Sequence, residues 1–103
     1  MYELLEAGEA LAPCYFADND LIAMGTIKAF QKKGVKIPDD IAIVGFDDLP
    51  MTSYMEPSLS TIHVPKKYLG EIAVKRLIEI MDQKNHFPVK IEVSTKLKKR
   101  RST

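Results

Sequence analysis

The chain has 103 residues, 46% hydrophobic and 28% charged. That balance fits one small folded domain of the soluble class and excludes an intrinsically disordered segment. A formal net charge of +1 excludes a polycation for nucleic acid, and no apolar run approaches the roughly 20 residues that span a bilayer.

The first hexapeptide, Met1-Tyr2-Glu3-Leu4-Leu5-Glu6, lacks a basic stretch followed by an apolar core, so no signal-peptide pattern opens the chain. Residues 2–8 read as the end of a helix, with apolar Leu4 and Leu5 flanked by glutamates and Gly8 as the stop. Residues 13–17, Pro13-Cys14-Tyr15-Phe16-Ala17, read as a short apolar strand. Cys14 is the only cysteine, so no internal disulfide exists and a reducing compartment fits. Inside that run it reads as a small buried hydrophobe. Asp18-Asn19-Asp20 then supplies capping side chains and negative charge at a helix start, where free N–H groups favour both. The helix is expected to reach about Lys33, with Ala23, Ile27 and Phe30 on its inner face, Met24 beside them, and Gly34 as the stop.

Pro38-Asp39-Asp40 is a turn into the most informative stretch, Ile41-Ala42-Ile43-Val44-Gly45-Phe46-Asp47-Asp48. This is the pattern of a buried parallel strand, residues 41–46, that releases carboxylates at its C-terminal end. In open α/β sheets that edge is where ligands bind. Residues 49–55 can hold one or two helical turns, ended by Glu56-Pro57. Residues 60–64 read as a strand, and Pro65 suits the first turn of a helix to about Lys84. Its apolar stripe is Leu69, Ala73, Leu77 and Ile80, widened by Ile72 and Met81. Residues 89–97 alternate, with Val89, Ile91, Val93 and Thr95 on one side, as in a half-exposed or edge strand. The basic end, Lys96 to Arg101, reads as a solvated strand end and tail. The order β-α-β-(short helix)-β-α-β gives an α/β fold, a mostly parallel sheet flanked by helices.

Little catalytic chemistry can be built from these residues. His63 and His86 are separated by a whole helix and have no cysteine partners at zinc spacing. Asp18, Asp20, Asp47 and Asp48 end strands of one sheet, but no activated nucleophile or oxyanion device accompanies them. The reading is therefore a binding protein rather than an enzyme, with no cofactor and no metal. Asn19 offers a donor and an acceptor, and an ionised Asp47 accepts only, so the two can grip adjacent hydroxyls or an amine. The plainer alternative makes Asn19 and Asp20 helix caps and Asp47 a turn residue.

These residues also carry a family resemblance. Ala17-Asp18-Asn19-Asp20-Leu21-Ile22-Ala23-Met24-Gly25 resembles the "xNDxxAxG" segment of lactose- and galactose-repressor-type (LacI/GalR) transcription regulators. Gly34 to Asp48 is similar to their "GxxxPxDxxxxGFDD", Pro57 to Ile62 to their "PxLTTI" with Pro65 and Leu69-Gly70 following, and Lys99 to Thr103 to their closing "RxST". Four ordered segments cover residues 13–103. The resemblance implies that residues 1–103 are a partial C-terminal lobe of a periplasmic-binding-protein-like (type I) effector domain. The DNA-binding head and N-terminal lobe would lie outside it. It implies a cytoplasmic regulator whose effector is a sugar or a nucleoside or purine, with operator DNA bound only through the absent head and no membrane partner. Asp47 would contact the effector and Asn19 would add a second polar contact. Asp20 is expected as a secondary contact or cap, and Phe46 as adjacent packing. Met51, Tyr54 and Met55 resemble the segment that packs across a homodimer. Many relatives carry glutamine where this chain has Val64, so no particular sugar carries over. A sugar-binding protein of an ABC transporter shares the fold and is the alternative.

Overall fold

The computed structural model describes residues 3, 6–8, 10–82 and 87–103. The chain divides into two compact units, one running to His63 and completed by Lys96–Thr103, the other Val64–Thr95.

In the first unit a four-stranded sheet is ordered β1 (Cys14–Phe16), β2 (Ala42–Asp47), β3 (Ser60–His63), β4 (Lys96–Lys98). β1, β2 and β3 are parallel, with Phe16 opposite Val44 and Asp47 opposite His63; β4 runs antiparallel to β3. Helix α1 (Asp20–Lys32) connects β1 to β2. Parallel neighbours need such a crossover, since a tight turn cannot reverse the chain twice. A 3-10 helix, Pro50–Ser53, lies within the β2–β3 connection, where helical turns are expected.

Side chains alternate across the strands. Tyr15 and Ile43 face α1, whose Ala23, Ile27 and Phe30 are buried against them with Ala17, Ile41 and Leu59. The Tyr15 and Phe30 rings meet at 5.7 Å. Lys32 and Lys33 are followed by Gly34 at φ +76°, a left-handed stop that costs glycine little. Gly8 likewise has φ +68°, after an Ala7 N–H bond to Glu3 O; Leu4 and Leu5 of that expected helix lie outside the described residues.

Alternation also corrects the reading of Cys14. It shares the other sheet face with Phe16, and both are exposed. An apolar sequence context does not say which side of an edge strand a residue takes.

In the second unit helix α2 spans Lys66–Asp82, and none of its residues is buried. The expected apolar stripe lies largely at the surface, with Leu69, Leu77 and Met81 exposed. Leu69, Ile72, Ala73, Leu77 and Ile80 form a groove with Val89, Ile91 and Val93. The expected end near Lys84, and His86, lie outside the described residues. The expected strand 89–97 is also revised, since pairing is confined to Lys96–Lys98 and residues 87–95 are not strand. Alternation can give a strand two faces, but a strand also needs a partner's hydrogen bonds.

Candidate functional site

Three chain segments converge at the C-terminal ends of the parallel strands. They are Ala17-Asp18-Asn19 after β1, Asp47-Asp48 at the end of β2, and His63 at the end of β3. Asp47 and His63 are direct register partners.

Asn19 is the N-cap of α1. Its Oδ1 accepts from the Ile22 N–H at 2.9 Å, satisfying one of the open amides of the first turn. The acceptor is thus committed to the helix, and its amide NH2 is what it can direct outward. Asp47 is half-buried at φ +116°, and Asp48 follows at φ +53°. Residues with a Cβ rarely take such angles, which cost on the order of 1–3 kcal/mol each. Two in succession require that the surroundings hold them.

Asp48 supplies one hold. Its Oδ1 accepts from Arg100 Nη2 at 2.7 Å, and its Oδ2 lies 2.8 Å from His63 Nδ1. Burial alone would raise this carboxyl's pKa. Hydrogen bonds and charge from Arg100 and His63 outweigh it and hold the pKa below the usual carboxylate value. The other Arg100 nitrogen, Nη1, donates to Thr52 Oγ1 at 3.0 Å and to Leu59 O at 2.9 Å. Residues 96–99 and Arg101 are exposed, as expected of a solvated strand end, but Arg100 is not. Arg100 is a structural cation, and Ser102 beyond it is fully buried.

Asp20 supplies another hold, and its expected role is corrected. The cap is Asn19; Asp20 is the first residue of α1 and has no exposed surface. Its Oδ2 accepts from the Leu49 N–H at 2.7 Å, and its Oδ1 from Thr61 Oγ1 at 2.5 Å. Both side-chain oxygens are thus engaged inside the fold. Phe46 meets the Phe16 ring edge-on, with centroids 6.4 Å apart. Of the three expected interface residues, Met51 and Tyr54 are exposed, whereas Met55 packs against the core.

Sequence reasoning missed His63, Thr61 and Arg100 as members of this cluster. A strand-end histidine beside a carboxylate was visible in order but not in space. Among the described residues no group of three metal-ligating side chains occurs, and no helix is long and apolar enough to cross a membrane.

A mostly parallel sheet with polar, strained residues at its C-terminal edge defines an α/β fold of the open-sheet class, in which that edge is the usual place for a ligand. The chain belongs to the periplasmic binding protein-like domain family, whose model matches residues 2–103. Within it, the resemblance to LacI/GalR-type regulators is borne out. The chain is 40% identical over 87 residues to the HTH-type transcriptional repressor PurR of Photobacterium profundum, covering 84% of this chain and 26% of that protein. It is similar to a LacI family regulator from Enterococcus faecium with bound ribose, at 30% identity and TM-score 0.84, over 99% of this chain and 38% of that one. A dimeric Lac repressor matches at 27% identity and TM-score 0.87, over 99% of this chain and 37% of the other. The chain spans about a quarter of the length of the curated relatives it matches.

Proposed function

We propose that these residues are the C-terminal part of the effector-binding domain of a bacterial transcription regulator, a repressor that senses a small molecule. The effector is sugar-like or purine-like and is held by Asp47, with the Asn19 amide as a second contact. The observation that carries this reading is the pair of positive φ angles at Asp47 and Asp48, at the strand edge where open α/β sheets bind ligands. Strain of that kind clusters at ligand clamps, because the fold must spend stability to keep it. The ribose held by the Enterococcus faecium relative supports the ligand class, and the repressor names of the relatives favour a regulator over a transporter protein.

The protein acts by binding, not by catalysis, in the cytoplasm and as a homodimer through the Met51–Tyr54 surface. Operator DNA is contacted by a helix-turn-helix head outside these residues. The effector works by binding the closed arrangement of two lobes more tightly than the open one, since only differential affinity can shift such an equilibrium. A thermal-shift screen of the intact regulator with D-ribose, D-galactose, adenosine and guanine tests the reading. A ligand bound by the native state alone raises the midpoint. A flat response to all four would reject this effector class.

A further inference from the structure

Asp20 has a place in the site that its sequence position does not announce. It follows Asn19 directly and is fully buried. Its two oxygens accept from Leu49 N–H and Thr61 Oγ1. Leu49 lies two residues after Asp47, and Thr61 two before His63. Thr61 Oγ1 in turn accepts from the Asp48 N–H at 3.3 Å. One side chain thus ties the start of α1 to the segment after β2 and to β3. Gly45 completes the fit, because a Cβ there would overlap Asp20 Oδ1.

Stability alone does not account for this choice. Burying a carboxyl and a hydroxyl costs free energy that hydrogen bonding only recovers, and an apolar cluster of similar volume is often as stable. What a polar cluster adds is direction: each bond fixes a separation and an angle. Those fixed here are the separations between the segments that carry Asn19, Asp47 and His63.

We propose that Asp20 is the positioning residue of the effector site, setting the spacing between Asn19 and Asp47 without touching the ligand. This rests on the reading of those two residues as effector contacts. Asp20→Ala would leave two buried donors unpaired and risks unfolding the chain, so the main variant is Thr61→Val, with Thr61→Ser as the conservative rescue. Both are made in the intact regulator. Hydrogen exchange read by mass spectrometry should show residues 46–50 exchanging about tenfold faster or more in Thr61→Val. Residues 26–32 of α1 should be unchanged, and Thr61→Ser should match the parent. For whichever of D-ribose, D-galactose, adenosine and guanine binds the parent, calorimetry should show Thr61→Val weakening it about tenfold or more. Thr61→Ser should restore it; ligand-free melting should fall for Thr61→Val, which leaves Asp20 Oδ1 and the Asp48 N–H without that hydroxyl, and return with Thr61→Ser. Unaltered exchange at 46–50 in Thr61→Val would overturn the proposal, and so would faster exchange with undiminished affinity. If the parent binds none of the four probes, the effector reading fails on its own account, and exchange still decides whether Asp20 fixes this segment.

Discussion

Arg100 reaches back across 52 positions of sequence to Asp48, with Nη2 2.7 Å from Oδ1. Both side chains are largely buried, at 22% and 14% exposure, so the pair is shielded from the screening that weakens surface ion pairs. The pKa of Asp48 is depressed in the fold. A group of that kind stabilises fully above its unfolded pKa, about 3.9, and the contribution disappears as pH falls through the lower folded value. Arg100→Met should therefore destabilise the protein by about 2 kcal/mol near neutrality. The gap between parent and variant should narrow below about pH 4. Urea unfolding at pH 7, 5 and 3 measures this, and a gap independent of pH would show that the pair contributes nothing through Asp48.

Gly45 is the next test of the packing. An added methyl would meet Asp20 Oδ1 and lie 3.0 Å from Leu59 Cδ2, with Ala23 Cβ at 3.4 Å. The neighbours are a buried carboxyl and core residues with little room to move. Gly45→Ala should cost about 1–3 kcal/mol, the usual range for overpacking, although alanine suits a strand better than glycine. A shift of the urea midpoint toward greater stability would refute the close approach.

The same contact shows where sequence reading ends. The apolar run 41–46, the Ala23, Ile27 and Phe30 spacing and the Gly34 stop were all legible, because each is a local pattern with a local cause. Asn19 and Asp47 were legible as polar groups at one sheet edge, since topology brings strand ends together. That Asp20 and Gly45 need each other was not, for they meet only after α1 crosses over the sheet. Arg100 looked like part of a charge run because its partner, Asp48, lies on another strand's end. In α2 the helix was legible and its burial was not: periodicity tells which face is apolar, never what covers it.

Ser102 ties the chain end into the sheet. Its Oγ donates to Ile43 O at 2.6 Å and accepts from Ser60 N–H at 2.8 Å, and its backbone carbonyl accepts from Ile43 N–H at 2.8 Å. Ser102→Ala leaves a buried carbonyl and a buried amide without these partners. The cost of each is about 1–3 kcal/mol, so a loss of at least about 2 kcal/mol is expected in chemical denaturation, with the fold retained. Ser102→Cys, with a weaker donor and acceptor, should fall between. A loss below about 0.5 kcal/mol, typical of surface positions, would show that water replaces the hydroxyl there.

Asp47→Asn isolates charge from shape. The amide keeps one acceptor and places a donor where the carboxylate accepted, so hydroxyl or amine donors of an effector lose a charge-assisted bond. That loss should weaken effector affinity by about tenfold or more. Operator affinity without effector should stay near the parent value, because the DNA contacts of the proposed regulator lie elsewhere. Calorimetry and operator titration, run side by side, separate the two. Equal induction of parent and variant would remove Asp47 from the site.

The exposed pair Met51 and Tyr54, at 60% and 89% exposure, makes the last prediction. Large apolar side chains lifted into solvent on a 3-10 turn gain by being covered, and methionine with tyrosine suits an adaptable interface. Thr52, between them, is buried and bonded to Arg100, so the turn is a firm platform rather than a floppy loop. Glutamate at both positions should abolish association by desolvation cost and like-charge repulsion across a two-fold contact, where each substitution appears twice. Because neither side chain is buried in the chain itself, stability of the fold should change by less than about 0.5 kcal/mol per site. Sedimentation equilibrium of the intact regulator should then show a dimer converting to monomer, with unchanged unfolding by circular dichroism at equal protomer concentration. A dimer that survives Met51→Glu with Tyr54→Glu would move the interface to another surface.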